Sequence, residues 1–254
     1  GKPYAADEEY LVLVDVDRER SGIRVEGTDE EGLVARILHV QPAVDPGETV
    51  AVGDPLGPMI RSGFFAPWVA NHVHVGFRRA EQNLHRAGGS LPVVADVDVE
   101  PVSWDGIGTV VDVGDTYAHL DRPTHPDQGE RFVGIAGTLT DAAEATTGGP
   151  SPATDTAENR IALDGGLAHY EGGGLLGRDV SDEADATETP VTVAGKRVGT
   201  ATGRTVAWDD LTVRANGDPI TGIALFCARD RFGVKLVGDG VDLTVGEDVT
   251  VTID

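Results

Sequence analysis

The chain has 254 residues, 40% of them apolar, with valine used 33 times and isoleucine 9 times. It can bury one large core or two smaller ones, which excludes a disordered chain. Its longest apolar run is far short of the ~20 residues a membrane-spanning helix needs. Twenty basic against 43 acidic residues leave a net charge of −23, and such a surface repels phosphates, which excludes a nucleic-acid partner. The acids are spread from Asp7 to Asp254, and Asp outnumbers Glu 27 to 16 with only 3 Lys. That pattern reads as the high-salt adaptation of a halophile, ahead of a surface that steers cations or basic ligands.

In chain order, short valine-rich runs recur between Gly, Asp and Pro: residues 11–16, 33–40, 49–52, 73–77, 109–113, 191–193, 223–227 and 249–253. Such spacing with turn signals between predicts an all-β fold, barrel or sandwich. The best helix candidate is residues 78–86, ending at Gly88-Gly89. Two polar stretches, 141–159 and 179–188, read as an insertion and a linker. They divide the chain into units 1–99, 100–178 and 189–254. No charged leader with an apolar core is visible, which points to a soluble, cytoplasmic protein. The chain starts at Gly1 rather than Met, so a missing N-terminal part stays open. The single cysteine, Cys227, excludes an internal disulfide and a cysteine zinc site; inside the run Ile223–Cys227 it is expected as a buried thiol. Asn216-Gly217 is a hairpin signal.

The segment 35–78 carries the chemical signature. Turn glycines Gly47, Gly53 and Gly57 alternate with valines, and His72-Val73-His74 follows. Alternate residues of a strand share a face, so His72 and His74 project together, as two metal ligands or as one ligand and one proton carrier. With His39 ahead of a V-x-x-G-x-x-V-x-x-G-D-x-L-G pattern, this segment resembles the lysostaphin-type zinc metallopeptidases, peptidase family M23. The resemblance covers roughly residues 1–80. It implies an all-β, duplicated hybrid motif (lysostaphin-like) β-barrel followed by further β-rich units. By that resemblance His74 is a zinc ligand, while His39 and His72 are catalytic and stabilise the oxyanion as zinc-bound water attacks. Arg61, Trp68 and Asn71 would border the same binding cleft.

The family's HxxxD pair of zinc ligands is absent, since no histidine precedes His39. The leading expectation is therefore a degenerate member that binds a peptide-like or small polar ligand through the cleft of His39, His72 and His74. The alternative is an active zinc-dependent hydrolase whose other ligands come from a missing N-terminus or from His119, His125 or His169. A third class is a structural interaction module. Tyr117-Ala118-His119-Leu120 and Ala168-His169-Tyr170-Glu171 resemble parts of a second, decayed hybrid motif. The run His119-Leu120-Asp121-Arg122-Pro123-Thr124-His125-Pro126-Asp127 holds a ligand-type set of His and Asp, although its prolines favour an irregular loop. Gly165-Gly166 and Gly172-Gly173-Gly174 could cradle an anion, with flexible turns the better reading.

Overall fold

In a computed structural model, residues 5–23, 32–93, 97–140, 159–176 and 187–254 are described. All but the last residue of the expected insertion at 141–159, and most of the expected linker at 179–188, lie outside the described residues. The chain divides into two compact units, Gly1–Ala95 and Asp96–Asp254. Its described residues hold eighteen strands and a single helical turn, so the fold is all-β. Among the described residues no helix is long and apolar enough to cross a membrane.

The first unit holds β1 (Leu11–Asp15), a one-turn α1 (Arg18–Ser21), β2 (Leu33–Leu38) and β3 (His74–Arg79). The strands form one antiparallel sheet in the order β1-β2-β3, with Leu11 opposite Leu38 and Leu38 opposite His74. Beyond β2 the chain continues as a ribbon. The Ile60 N–H donates to the His39 carbonyl at 2.9 Å, the Gln41 N–H to Pro58 at 2.9 Å and the Ala43 N–H to Leu56 at 2.8 Å.

The expected strand at 49–52 is not formed. Asp54 caps the Ala51 N–H at 2.8 Å and Glu48 caps the Asp45 N–H at 2.9 Å. These local bonds hold the backbone in turns, and Val52 is left 92% exposed. The helix expected at 78–86 is also absent. β3 runs through Arg78, whose side chain is 2% exposed and donates to the carbonyls of Asn83, Arg86 and Gly88. Carbonyls that a helix would satisfy internally are here gathered round one guanidinium.

Gly57 carries the turn chemistry that its motif position suggested. Its φ is 143°, and a Cβ there would sit 1.9 Å from the Gln41 carbonyl oxygen. Only glycine fits, for both conformation and space. Gly57→Ala is expected to push the two arms of the ribbon apart and lower the melting midpoint of the first unit by roughly 5–10 °C. Thermal unfolding followed at the His39 ring resonances measures this; an unchanged midpoint would show that the ribbon gives way freely.

The second unit contains β4 (Val99–Val102), β5 (Ile107–Gly114), β6 (Tyr117–Leu120), β7 (Phe132–Leu139), β8 (Arg160–Leu167) and β9 (Gly172–Leu176). After the undescribed stretch come β10 (Thr189–Val193), β11 (Lys196–Thr202), β12 (Thr205–Trp208), β13 (Val213–Ala215) and β14 (Asp218–Ile220). The chain ends with β15 (Gly222–Leu225), β16 (Cys227–Ala228), β17 (Lys235–Val237) and β18 (Asp248–Ile253).

Antiparallel pairing runs β7-β8-β9-β12-β11-β10 and returns to β7, closing a six-stranded barrel. Closure removes free sheet edges. The barrel therefore lies in the second unit, whereas the described part of the first unit holds the three-stranded sheet. The expected boundary near 178 falls inside this barrel, because β7 to β9 and β10 to β12 need each other to close it. Leu163, Val191, Val198 and Val206 fill the interior at 0% exposure. In β18 Val249, Val251 and Ile253 are buried while Asp248, Thr250 and Thr252 face out, the period of a half-buried strand.

The glycine runs serve close approach rather than anion binding. Gly165 in β8 pairs with Gly173 in β9, and a Cβ on Gly173 would lie 2.3 Å from the Trp208 ring. Asn216-Gly217 forms the expected tight turn between β13 and β14, with φ of 50° and 93°. Cys227 is exposed rather than buried. It lies in the two-residue strand β16, opposite Gly134 of β7, so the apolar run around it does not enclose it.

Candidate functional site

The first unit brings together the three histidines that the sequence singled out. His74 opens β3, His72 lies two residues before it, and His39 follows β2 immediately. Continuing the β2–β3 register would set His39 opposite Val73, facing away from His72 and His74. Instead His39 adopts a left-handed φ of 67°, which breaks the alternation of faces. Its ring then lies 5.6 Å from that of His72 and 6.3 Å from that of His74, centroid to centroid. Phe65 is buried beneath, edge-on to His39 at 4.7 Å and stacked on His72 at 4.3 Å. His39 is itself buried, whereas His72 and His74 are exposed.

Glu9 is the site residue that the sequence reading missed. Its Oε1 accepts from the Gly63 N–H at 2.9 Å, and its Oε2 lies 3.4 Å from His39 Nδ1. Burial pushes the Glu9 carboxyl up, but hydrogen bonds from Ser62, Gly63 and His39 outweigh it and hold the group below the usual glutamate range. An ionised carboxylate only accepts, so this contact places a proton on Nδ1 of His39. The His72 Nδ1 likewise donates to the Ala70 carbonyl at 3.0 Å. In their neutral forms both rings then keep an unprotonated Nε2, an acceptor for a ligand N–H or O–H. No linear spacing could have pointed to Glu9, which lies thirty residues before His39 and meets it only through the fold.

Burial, and then the positive charge of His39, His72 and Arg36, lowers the His74 pKa. A lowered folded-state value leaves stability intact above the unfolded value near 6.5 and removes it as pH falls through the folded value. NMR titration is expected to place the His74 midpoint below 6.5; a midpoint above it would show that burial and the neighbouring cations do not govern this ring.

The other expected cleft residues have different roles. The Arg61 guanidinium donates to the carbonyls of Val69, Ala66 and Pro67, the last two at 3.0 and 3.1 Å, and lies 5.3 Å over the Phe65 ring. It ties down the loop 66–69 rather than presenting a free charge. Trp68 is half-buried in that loop and Asn71 is exposed.

His119, His125 and His169 lie in the second unit, on separate elements. His119 stands in β6 opposite Lys235, and burial followed by that lysine lowers its pKa. His125 is buried, and its Nδ1 accepts from the Asp127 N–H at 3.0 Å. His169 turns back to the Leu167 carbonyl at 3.2 Å, and burial lowers its pKa. The His and Asp of 119–127 do not converge either: Asp121 bonds the Thr109 N–H at 2.7 Å, and Asp127 pairs with Arg131 at 3.3 Å. Zinc needs three protein donors converging within ~2.0–2.3 Å. Among the described residues no group of three or more His, Cys, Asp or Glu is placed to hold a metal ion. The residues described do not fit a zinc centre.

These observations define an all-β protein with a closed six-stranded barrel in its second unit and an imidazole cluster in its first. Two family models cover almost the whole chain. The domain of unknown function (DUF8155) N-terminal domain matches residues 1–95, and the DUF8155 C-terminal domain matches residues 100–254. The chain belongs to the DUF8155 family, and the family's domain boundary falls where the two compact units part. No curated protein and no solved structure matches it.

Proposed function

We propose that the first unit is a lysostaphin-type relative used for binding rather than hydrolysis. In this reading it takes a peptide-like or small polar ligand on the face formed by His39, His72 and His74. The supporting observation is the cluster itself: three neighbouring imidazoles, two of them packed on Phe65 and two of them exposed, with no convergent metal donor set among the described residues. Neutral Nε2 atoms accept from backbone N–H or hydroxyl groups, and the exposed rings of His72 and His74 add apolar ring surface beside them. Glu9 is the positioning residue that holds His39 in place. The charge of −23 fits a protein of a salt-rich environment.

The test is NMR titration of the histidine rings with short glycine- and alanine-rich peptides. Selective shifts at His72 and His74, with affinities of about 0.1–10 mM, are expected and should be lost in His72→Ala. About one equivalent of co-purified zinc, absent from His74→Ala, together with peptide cleavage, would replace this reading with that of a zinc hydrolase. No shift with any peptide and no metal would leave a structural module.

A further inference from the structure

The second unit contains an open cleft of about 980 Å³ where β5, the loop before it, the segment after β6, the β10–β11 turn and the start of β18 meet. Its volume is in the class of small-molecule sites, and is generous for a single ion or a free amino acid. We propose that it binds a neutral polyhydroxylated ligand of disaccharide size.

The cleft walls are built by hydrogen bonds that leave definite groups over. The indole Nε1 of buried Trp104 donates to the Ile107 carbonyl at 2.9 Å, and Asp105 caps the Ile107 N–H at 3.1 Å, which fixes the loop before β5. Thr109 then uses two acids at once: its N–H donates to Asp121 Oδ1 at 2.7 Å and its hydroxyl to Asp248 Oδ1 at 3.0 Å. Among the described residues the second oxygen of each carboxylate has no donor, so each of these two cleft-lining aspartates keeps an acceptor to offer. Arg122 follows Asp121 and lines the same cleft. Its exposed guanidinium makes no hydrogen bond or ion pair among the described residues, although Arg131, Arg197 and Arg214 each hold a carboxylate.

The charges select the ligand class. An anion would meet Asp105, Asp121 and Asp248, and a simple cation would meet Arg122. A hydroxyl both donates and accepts, so adjacent hydroxyls can donate to a carboxylate and accept from the guanidinium fork within one uncharged ligand. Shielding by salt leaves such contacts largely intact.

The experiment titrates the full chain with maltose, cellobiose, lactose and mannobiose, following the Trp104 indole and Thr109 amide resonances by NMR. At least one disaccharide is expected to shift both signals at about 1–10 mM, with affinity changing less than about twofold between low and high salt. Asp248→Asn keeps an acceptor for Thr109 and removes the charge; with Arg122→Ala it should weaken binding about tenfold each. Both variants should melt as the parent does, which separates lost binding from lost fold. Two results overturn the proposal. One is binding of spermidine, arginine or glycine betaine with the sugars silent; the other is no shift with any probe.

Discussion

Replacing Arg78 with methionine should unfold the first unit before any other single change tested there. The buried guanidinium donates to the carbonyls of Asn83, Arg86 and Gly88, and the neighbouring Arg36 Nε donates to Leu84 at 2.5 Å. Together they hold the segment 80–91, which has no helix of its own. Methionine fills similar space but leaves three carbonyls without donors, and each stranded group costs more than an ordinary hydrogen bond contributes. The expected result is a drop of about 10–15 °C in the midpoint of the first unit, with the transition of the second unit unmoved. Arg78→Lys should recover only part of it, because one ammonium cannot reproduce the planar fork that reaches several carbonyls. Hydrogen exchange of the amides of 80–91 gives the same comparison locally. An Arg78→Met protein that melts like the parent would show that the segment is held by something else.

The second large effect is the response to salt, and the two units should differ in it. Residues 1–95 carry 9 basic and 14 acidic residues, whereas residues 96–254 carry 11 basic and 29 acidic. The barrel unit thus holds a net −18 against −5 for the first. Self-repulsion of that charge opposes the compact state, and screening relieves it as the Debye length falls from ~10 Å at 0.1 M to ~3 Å at 1 M. Raising sodium chloride over this range is expected to lift the midpoint of the second unit by roughly 10 °C or more, and that of the first by much less. Trp68 reports on the first unit, and Trp104 and Trp208 on the second. A flat response of the second unit would mean that the acids are compensated locally, and would remove the physical basis for reading the composition as salt adaptation.

The sequence was most legible where a short-range pattern suffices. Seven of the eight valine-rich runs became strands because alternate burial is written directly into residue order, as β18 shows with its Val-Thr-Val-Thr-Ile sequence. The run at 49–52 failed because Glu48 and Asp54, each closing its own turn at 45–48 and 51–54, offer the backbone nearer partners than a distant strand. The helix at 78–86 failed for a related reason: local propensity is a weak force, and a buried arginine from β3 captured the carbonyls. At the candidate site, His72 and His74 were found from spacing alone. Glu9 and Phe65 were not, since neither stands at a telling interval from them.

By itself, then, the order of residues determined an all-β chain, its turns at Gly57 and Asn216-Gly217, its charge, and three histidines worth examining. Tertiary structure alone decided that the closed barrel joins β7–β9 to β10–β12, that Glu9 stands beside His39, and that the histidines of the second unit lie on separate elements. It also decided that two aspartates and an arginine with no side-chain partner among the described residues share one cleft. The division has a physical origin. Alternation and turn chemistry act over a few residues, whereas barrel closure and the meeting of side chains depend on contacts whose loop-closure cost depends only weakly on sequence distance, so no local pattern records them.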